Sequence, residues 1–566
     1  MHEGKASFLT LHKWTLTIAT IGFLTYFNSL ANGFVWDDFT QIIQSPSLHS
    51  FSNLNAFFSE ASILPGAFYR PLQLSYLSLL YTLFGQHAFP FHLLQVTLHI
   101  VNAVLAFKIF SLACNKKVAL FLALIFLVHP MTVESVAFIS ASSEVLYAFF
   151  GLSALYLMLK NNPPSSWTLF LVYSLLLLSL LSKESGVVFV ALVVCTQLLK
   201  NKRIILLHIP FLASTLGIYL FLRIHVAHIL YNPHSLDFIP IVRATLTERL
   251  VTMPKIVLFY FKTFFFPIDL AISQLWVVHQ MTIADFYSPL LMLSVVLLIA
   301  LGVACTLFRF RKKSFPFFLF FTFWFLSGMS ILLQVFPLTM TVADRWFYVP
   351  MLGLLGMIGV TIQQIHIRNT ILKTSLVICA SLIIVGLMLR TLVRNTNWYN
   401  SHTLFTHDVK VSQSFLLEND IGIEYLEKKQ YTTARSYFMK SATLFPYEVN
   451  LYNIGLTYAR EGNQSKTNDY FHQAIDHYYG YMPDSSFARL LLQEKGYEAA
   501  REFLERKLET NRNDAYLIFL LAIANYKLGE KEEALSLAKK AYTIDPQPTI
   551  KEIVRLMSQN QPVDNY

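Results

Sequence analysis

The sequence predicts an all-α protein, with a polytopic membrane helical bundle of about 11–12 spans followed by a helical-repeat solenoid. Hydrophobic residues make up 55% of the 566 residues and charged residues only 14%, whereas ordinary globular domains carry about a quarter charged residues. From about residue 395 onward the long apolar runs end and charged residues become frequent. We therefore divide the chain into a membrane domain, 1–394, and a repeat domain, 395–566.

Apolar runs that approach the length of a membrane crossing, about 20 residues, recur through the membrane domain. Short basic loops follow every second run, so the positive-inside rule places these loops and the N-terminus in the cytoplasm. A cleaved signal peptide is the alternative for the first run, but the many spans behind it favour a retained helix. The predicted spans are 14–32, 91–111, 117–133, 143–160, 166–182, 185–200, 204–223, 287–308, 315–334, 346–364 and 371–390.

One apolar stretch, 250–272, does not fit this alternation. A full crossing there would place the basic residues between Arg309 and Lys313 on the outside. We therefore interpret it as a re-entrant or interfacial helix. The chain then ends on the non-cytosolic side, the same side as the loop that follows the first span.

Two large external loops, 33–90 and 224–286, carry most of the polar chemistry. Apolar stretches at 54–58 and 72–84 in the first loop predict helices that lie on the bilayer. By this topology eleven acidic side chains share the external face, and because carboxylates contribute little to insertion, their common location indicates a working surface. They are Asp37, Asp38, Glu60, Glu134, Glu144, Glu184, Asp237, Glu248, Asp269, Asp285 and Asp344.

A repeat of about 34 residues organises the C-terminal region. It places small residues at two positions and proline at the end of the first and last units, which is the tetratricopeptide pattern of paired, closely packed helices. About four repeats are predicted, and the concave face of such a solenoid usually binds a peptide or protein. The repeated residues are Gly422, Gly455, Ala488 and Ala522, then Ala434, Ala500 and Ala534, and finally Pro446 and Pro546.

The acid pair Asp37-Asp38, directly after Trp36 at the exit of the first span, is the leading catalytic candidate. Adjacent carboxylates near an apolar surface have coupled and divergent pKa values, so one can act as a general base while the other positions an acceptor or a metal. A polar loop that merely ends a helix is the alternative interpretation.

Four cations lie on the face that the positive-inside rule leaves poor in them. A guanidinium or an ammonium group at headgroup depth suits a phosphate. Pairing with an adjacent carboxylate, Lys183 with Glu184 and Arg345 with Asp344, is the alternative. The candidate phosphate-binding residues are Arg70, Lys183, Arg223 and Arg345.

Further polar residues face the same loop and are candidates for a supporting role. An imidazole and two carboxylates among them could hold a divalent metal, but no tight His-x-x-His or carboxylate-x-His spacing indicates a site, so the metal stays an open alternative and no other cofactor is predicted. The supporting residues are His129, Glu134, Glu144, Glu184 and Asp344.

Two further expectations concern partners and packing. The net charge of +10 is concentrated in short loops between apolar runs, which indicates contact with membrane lipids and no nucleic acid. In the second span His92, His99 and Asn102 share one helical face, so we expect them to hydrogen-bond to a neighbouring helix.

Several short motifs also occur in a specific order along the chain. They are Trp36-Asp37-Asp38, Tyr69-Arg70-Pro71, His129-Pro130 with Glu134-Ser135-Val136-Ala137, Leu181-Ser182-Lys183-Glu184, and Ala343-Asp344-Arg345-Trp346-Phe347-Tyr348. Together they resemble the transmembrane and tetratricopeptide repeat-containing proteins, a branch of the C-type glycosyltransferases that includes protein O-mannosyltransferases.

The resemblance implies a C-type glycosyltransferase-like fold and a polyprenyl-phosphate sugar donor, typically mannose, whose lipid tail lies in the bilayer. It implies that Asp37 and Asp38 form the catalytic acid motif of the first external loop, and that the acceptor is a protein hydroxyl. Two departures bear on donor and acceptor. The family tends to have Arg, Asp and His where this chain has Ser142, Glu144 and Thr132.

We therefore expect an inverting membrane mannosyltransferase that acts in protein glycosylation on the non-cytosolic face. A non-catalytic, membrane-anchored tetratricopeptide scaffold explains the repeats but not the acid pair. A lipid-linked sugar carrier would need charges along a crossing path, and the spans contain few. We expect a bacterial inner membrane with periplasmic repeats, or an endoplasmic reticulum membrane with luminal repeats.

Overall fold

The computed structural model describes residues 2–59, 68–161, 163–200, 205–228 and 238–563. Within these ranges the chain is all-α, and its β structure is limited to one isolated antiparallel bridge between Gln274 and Val342. Two of the predicted external acids, Glu60 and Asp237, lie outside the described residues. The described chain divides into two compact units, one of residues 2–228 and 244–412 and one of residues 238–243 and 413–563.

The helices up to residue 412 alternate between long apolar segments and short connecting helices. In chain order they are α1 (His2–Tyr26), α2 (Leu54–Ser59), α3 (Pro71–Phe84), α4 (Ala88–Ala113), α5 (Lys116–Val128), α6 (Val133–Ala137), α7 (Ser142–Lys160), α8 (Ser166–Ser182), α9 (Val187–Lys200), α10 (Ile205–Phe221), α11 (Pro240–Arg243), α12 (Leu246–Phe265), α13 (Ser288–Phe310), α14 (Phe315–Leu332), α15 (Tyr348–Ile362), α16 (Thr370–Asn397) and α17 (Ser401–Asp408).

A helix is present at every one of the predicted spans. Among the described residues, seven helices are long and apolar enough to cross a membrane, or eight if one bent pair is counted as a span. Helices α8 and α9 are apolar but shorter. Apolar stretches of this number and length make the chain a multi-pass membrane protein.

The predicted span 117–133 is bent rather than straight. Helix α5 ends at Val128, and the following segment Pro130–Ala137 turns away by 52°. Pro130 has no backbone N–H and disfavours helical geometry in the residue before it. His129 is accordingly extended, and its Nδ1 accepts a hydrogen bond from the Met131 N–H at 3.2 Å. The bend carries Glu134 toward the polar end of the bundle.

Small residues allow close contact between α14 and α15. A Cβ atom on Gly353 would lie 2.4 Å from the backbone of Phe325, and one on Gly356 would lie 2.1 Å from the Phe321 ring. Such close approach of two backbones is the usual way in which membrane helices gain packing contacts. It holds α15 against the rest of the bundle, and with it the helical turn Asp344–Phe347 that precedes α15.

The polar face predicted for the second span makes interhelical hydrogen bonds. His99 on α4 bonds through Nδ1 to the Tyr348 hydroxyl at 2.8 Å and through Nε2 to the Leu127 carbonyl at 3.0 Å. Asn102 donates to the Val145 carbonyl at 3.0 Å and to the Tyr348 hydroxyl at 3.1 Å. These two residues therefore join α4 to α5, α7 and α15, as the sequence led us to expect. The third residue of the predicted face, His92, has no hydrogen-bond partner at either ring nitrogen within the described ranges.

Helices α13 and α16 are the most exposed of the candidate spans. Only 6% of their apolar windows is buried inside the protein. Large aliphatic side chains on both are exposed, such as Leu298 at 67% and Ile371 at 79%. In a membrane protein this surface is covered by lipid acyl chains, which favour apolar side chains as the protein interior does.

The second unit consists of helices most of which pack against the next helix along the chain. They are α18 (Phe415–Glu427), α19 (Tyr431–Leu444), α20 (Glu448–Arg460), α21 (Gln464–Asp476), α22 (Asp484–Gln493), α23 (Tyr497–Thr510), α24 (Ala515–Leu528), α25 (Lys531–Ile544) and α26 (Pro548–Ser558), and α11 groups with them. A Cβ atom on Gly422 would meet Phe438, and one on Gly455 would meet Phe471. These contacts explain the small repeated residues, and the tetratricopeptide assignment stays a prediction.

Candidate functional site

The loop after the first span contains an unusual backbone turn at Trp36, directly before Asp37. Trp36 has φ of 50°, the left-handed region, which a bulky residue adopts only when its surroundings hold it. Its indole stacks on Phe138 at 5.6 Å, and Phe138 in turn contacts the buried Trp398 at 5.6 Å. The Trp36 N–H donates to the Ser401 hydroxyl at 3.2 Å. Two distant parts of the chain therefore fix this turn.

Asp38 is completely buried and its carboxylate is fully engaged. Oδ1 accepts the Ser140 N–H at 2.7 Å and the Ser140 hydroxyl at 2.6 Å, and Oδ2 accepts the Val35 N–H at 3.1 Å. Three donors on one carboxylate leave it little capacity for a substrate. The structure therefore gives Asp38 a holding role within the predicted acid pair.

Asp37, in contrast, is half-buried and lightly bonded. The only hydrogen bond to its carboxylate among the described residues is a long one, 3.4 Å, from the Gln41 amide. Burial raises the pKa of Asp37 to about 6, against the opposing charge of Arg345. Burial also raises the pKa of Asp38 to about 7, against the hydrogen bonds from Ser140 and Val35. A carboxylate with a pKa near neutral is a better proton acceptor than an ordinary aspartate.

Arg345 is the cation whose positive charge lowers the pKa of Asp37. Its side chain forms a buried ion pair with Glu134, and its backbone N–H donates to the other oxygen of Glu134 at 3.0 Å. Arg345 also interacts electrostatically with Glu144 and with Asp37. The bend at Pro130 and the start of α15 thus bring together residues that are more than 200 positions apart in sequence.

Lys183 and Glu144 form a second buried ion pair. The Glu144 Oε2 atom has no hydrogen-bond partner among the described residues, so half of this carboxylate stays available. Burial lowers the pKa of Lys183, although the charge of Glu144 opposes that effect. The charges of Arg70 and Arg345 lower it further, which places all three cations in one neighbourhood.

Glu184 gathers the remaining two predicted cations. Its carboxylate accepts from the Arg70 Nε at 3.1 Å and from an Arg223 guanidinium nitrogen at 3.3 Å. The Tyr69 N–H donates to it at 2.9 Å, and Arg223 also donates to the Tyr219 hydroxyl at 3.0 Å. One acid thus holds two arginines from different loops side by side.

All four predicted cations therefore belong to one connected electrostatic network, which reaches from Arg223 to Asp37. Their partners differ from those that the sequence suggested. Lys183 pairs with Glu144 and not with its neighbour Glu184, and Arg345 pairs with Glu134 and not with its neighbour Asp344. The four cations are not exposed residues that merely contact lipid headgroups. Each is at least half-buried and forms an ion pair with an acidic side chain.

Asp344 lies at the edge of this network, beside a third buried ion pair, which the sequence analysis did not predict. Arg394 makes two hydrogen bonds to Asp408, at 2.6 and 3.0 Å, and Asp408 also accepts the Ile272 N–H at 2.8 Å. Burial raises the pKa of Asp408, but Arg394 and the hydrogen bonds from His407 and Ile272 together outweigh burial and hold that pKa below the ordinary value. Asp344 interacts with Glu134, Arg394 and Asp408. No short motif in the sequence indicates that Arg394 pairs with Asp408.

His129 does not join the cluster of charges. Its Nε2 donates to the Phe264 carbonyl at 2.9 Å, its Nδ1 caps the following turn, and its ring stacks on Phe264 at 5.1 Å. Both ring nitrogens are thus occupied. Across the described ranges no group of three or more His, Cys, Asp or Glu side chains is arranged to hold a metal ion.

Comparisons with known proteins agree with the motifs. Residues 70–225 match the family model described as dolichyl-phosphate-mannose-protein mannosyltransferase. Over 518 residues the chain is 25% identical to the protein O-mannosyl-transferase TMTC3 of Mus musculus, covering 81% of this chain and 54% of that protein. It is 24% identical to TMTC3 of Homo sapiens, covering 93% of this chain and 67% of the relative. The resemblance to the transmembrane and tetratricopeptide repeat-containing proteins is confirmed.

Two further matches are more distant or partial. The protein O-mannosyl-transferase F38B6.6 of Caenorhabditis elegans is 26% identical over 204 residues, or 33% of this chain. The solved structure of ArnT from Cupriavidus metallidurans bound to undecaprenyl phosphate is 14% identical and covers 82% of this chain, with a TM-score of 0.40. The chain spans about half to two thirds of the length of the TMTC3 proteins.

Proposed function

We propose that this relative of the transmembrane and tetratricopeptide repeat-containing proteins is an inverting membrane glycosyltransferase. It transfers a sugar, with mannose the first candidate, from a polyprenyl-phosphate donor to a hydroxyl group of a protein. The proposal rests on one observation, the arrangement of charged groups around Asp37. Asp37 is a half-buried carboxylate with spare hydrogen-bonding capacity, and it adjoins a network of four buried cations. The names of the sequence relatives support the reaction class.

In the proposed reaction Asp37 is the general base. It accepts the proton of the acceptor hydroxyl as that oxygen attacks the anomeric carbon of the sugar. The bond between the anomeric carbon and the phosphate oxygen breaks, and its electron pair leaves with polyprenyl phosphate. Attack from the face opposite the leaving group inverts the configuration at the anomeric carbon. Protonated Asp37 then returns its proton to solvent.

The four cations are proposed to hold the phosphate of the donor and to stabilise the charge that grows on it. A preorganised cation in a site that excludes water is worth about 2–4 kcal/mol to a transition state, or about 10²–10³ in rate. The two arginines on Glu184 are suited to this role because a guanidinium can offer two parallel N–H donors to a phosphate. Glu134, Glu144 and Glu184 keep the cations in place when no donor is bound.

The holding role of Asp38 supports the assignment of Asp37 as the base. Asp38 fixes the turn that contains Asp37, and its hydrogen bonds to Ser140 and Val35 occupy its oxygens. Positioning of this kind matters because a displacement of about 1 Å at the reacting group can cost about 10²-fold in rate. Asp38 is therefore proposed as a positioning residue and Asp37 as the catalytic one.

The decisive experiment measures transfer from a labelled polyprenyl-phosphate sugar in membranes that contain the wild-type chain or Asp37→Asn. We expect the variant to lose at least about 10²-fold in kcat/KM, the typical contribution of a general base. Asp269→Asn is the matched control. It makes the same change at an exposed acid that forms an ion pair with Lys262, and it should keep wild-type activity.

Two outcomes would contradict the proposal. Unchanged transfer by Asp37→Asn would remove the assignment of the base. Failure of the wild-type chain to transfer any of several sugars would instead favour a membrane-anchored scaffold whose repeats recruit a protein partner. A radiolabel recovered on protein, and lost on mild elimination of O-linked sugars, would identify the acceptor as a protein hydroxyl.

The proposed reaction takes place on the non-cytosolic face of the membrane. The distribution of basic loops predicts this orientation, and the polyprenyl tail allows the donor to reach the site from within the bilayer. A bacterial inner membrane with periplasmic repeats is proposed, with the endoplasmic reticulum as the equivalent eukaryotic location. Membrane lipids and a protein or peptide held by the repeat unit are the proposed partners.

A further inference from the structure

A basic cavity lies at the end of the bundle where α13 ends and α16 begins. Its volume is about 810 Å³, and its lining includes Arg311, His366, Arg368 and Lys373. Arg311 directly follows the last residue of α13, and Lys373 lies in the first turn of α16. The cavity is therefore built from the loop between α13 and α14 and the loop between α15 and α16.

The two loops are joined to one another by a side-chain contact. The Gln364 amide donates to the Ser314 hydroxyl at 2.9 Å, and Gln364 also lines the cavity. This contact brings cations that are far apart in sequence to one place. The cavity is thus shared by two loops that are far apart in sequence.

The cations of this cavity differ from the four in the candidate active site. Each of those four is held by a carboxylate. Arg311, Arg368 and Lys373 take part in no ion pair within the described ranges, and neither 309–314 nor 363–373 contains an acidic residue. Three like charges around one cavity repel one another until an anion enters.

The surroundings of the cavity indicate an amphiphilic anion. Helices α13 and α16, which lead away from it, present almost entirely exposed apolar surfaces. A ligand with a phosphate in the cavity and acyl chains beside these helices would satisfy both the cations and the apolar surface. Basic pockets between the ends of membrane helices are recurrent sites for anionic headgroups.

We propose that this cavity binds the phosphate headgroup of an anionic membrane phospholipid. The site is separate from the proposed transfer reaction, since its residues belong to other loops and are not part of the network around Asp37. Occupancy would fix the two loops and anchor α13 and α16, the two least buried of the candidate spans.

The test uses the full chain purified in detergent and reconstituted in vesicles of phosphatidylcholine, with or without phosphatidylglycerol. Native mass spectrometry then measures the phosphatidylglycerol retained per chain. The cavity variant Arg311→Gln, Arg368→Gln, Lys373→Gln is compared with the matched control Arg309→Gln, Lys312→Gln, Lys313→Gln. The control removes the same charge from the same region, at residues that do not line the cavity.

We expect wild type and control to retain phosphatidylglycerol, and the cavity variant to retain at least about tenfold less, a difference of about 1.4 kcal/mol. Equal retention by all three proteins, or an equal loss in both triple variants, would overturn the proposal. Inorganic phosphate tests the other source of the same chemistry. If it displaces phosphatidylglycerol at micromolar concentration, the site is one for free phosphate and the lipid assignment fails. Far-ultraviolet circular dichroism establishes that the variants compared are folded.

Discussion

Asp38 and Ser140 are joined by two hydrogen bonds across 102 positions of sequence, and one carboxylate oxygen accepts both. The distances, 2.7 Å from the backbone N–H and 2.6 Å from the hydroxyl, are those of charge-assisted hydrogen bonds. Within the described part of the chain, the carboxylate of its neighbour Asp37 accepts a single hydrogen bond, from Gln41 at 3.4 Å. We therefore propose that these two adjacent and chemically identical side chains have separate roles, with Asp38 fixing the loop and Asp37 meeting the substrate.

The holding role of Asp38 predicts a loss of stability when its carboxylate is removed. Asp38→Ala leaves the donors of Ser140 and Val35 buried without an acceptor. Each buried donor left unsatisfied costs about 1–3 kcal/mol. We expect the free energy of unfolding to fall by about 2–4 kcal/mol, measured by thermal melting in detergent.

Ser140→Ala supplies the graded control for that measurement. It removes the hydroxyl donor and keeps the backbone N–H, so about 1–1.5 kcal/mol should be lost. If Asp38→Ala melts at the wild-type temperature, the three hydrogen bonds do not hold the loop, and the division of labour between Asp37 and Asp38 is wrong.

The pKa of Asp37 predicts how transfer depends on pH. A general base must be ionised before it can accept a proton, and burial raises the pKa of Asp37 to about 6. We therefore expect kcat/KM to be constant above about pH 7 and to fall tenfold per pH unit below about pH 5. Initial rates over this range test it, with donor and acceptor below saturation. A profile that stays flat to pH 4 would argue against a carboxylate base of raised pKa.

The same shift predicts that Asp37 makes the protein less stable at neutral pH. Because the folded-state pKa lies above the ordinary value of 3.8 for an aspartate, the folded protein binds the proton more tightly than the unfolded chain does. The resulting stabilisation is complete below about pH 4 and is lost as the pH rises through about 6. Asp37→Asn, which has no charge to bury, should therefore raise the melting temperature at pH 7.5 and leave it nearly unchanged at pH 4. A lower melting temperature at pH 7.5 would contradict this sign.

Much of the candidate site was predictable from the sequence, because residue type and membrane side restrict where polar groups can be. The acid pair, the four cations and their gathering at one end of the bundle all follow from this sorting. The pairing within the set was not predictable. Lys183 has extended backbone angles, φ −162° and ψ 141°, so its side chain and that of Glu184 point in different directions. Glu144 on another helix takes the place of the neighbouring acid.

Helical geometry had the same effect at Arg345. Consecutive residues in a helical turn do not face each other, so Asp344 is a poor partner for the residue beside it, and the bend after α5 supplies Glu134 instead. His129 illustrates a second limit. Its partner is a backbone carbonyl, that of Phe264, 135 positions away. A backbone acceptor cannot be recognised from a pattern of side chains. His129 therefore seemed available to bind a metal, although both of its ring nitrogens already form hydrogen bonds.

The shared carboxylate of Glu184 predicts a specific effect on donor binding. Arg70→Lys and Arg223→Lys keep the charge but lose the planar pair of N–H groups that suits a phosphate. We expect each to raise KM for the polyprenyl-phosphate donor about tenfold, with a smaller change in KM for the acceptor. Arg309→Lys makes the same exchange at an exposed position away from the network and should behave as wild type. Unchanged donor KM in both variants would exclude the two arginines from the phosphate site.

The predicted topology can be tested by labelling the repeat unit from one side of the membrane. Ser465 lies in α21 and is exposed, so Ser465→Cys should tolerate substitution and react readily with thiol reagents. If the repeats lie on the non-cytosolic side, an impermeant maleimide should label this cysteine in intact spheroplasts, and prior lysis should not increase the labelling. Lys313→Cys, in a basic loop predicted to be cytosolic, should be labelled only after lysis.

The reverse pattern would place Asp37 and its cations in the cytosol. The donor's sugar would then have to be presented on the cytosolic face. The proposed site would lie on the wrong side of the membrane for a reaction on the non-cytosolic face.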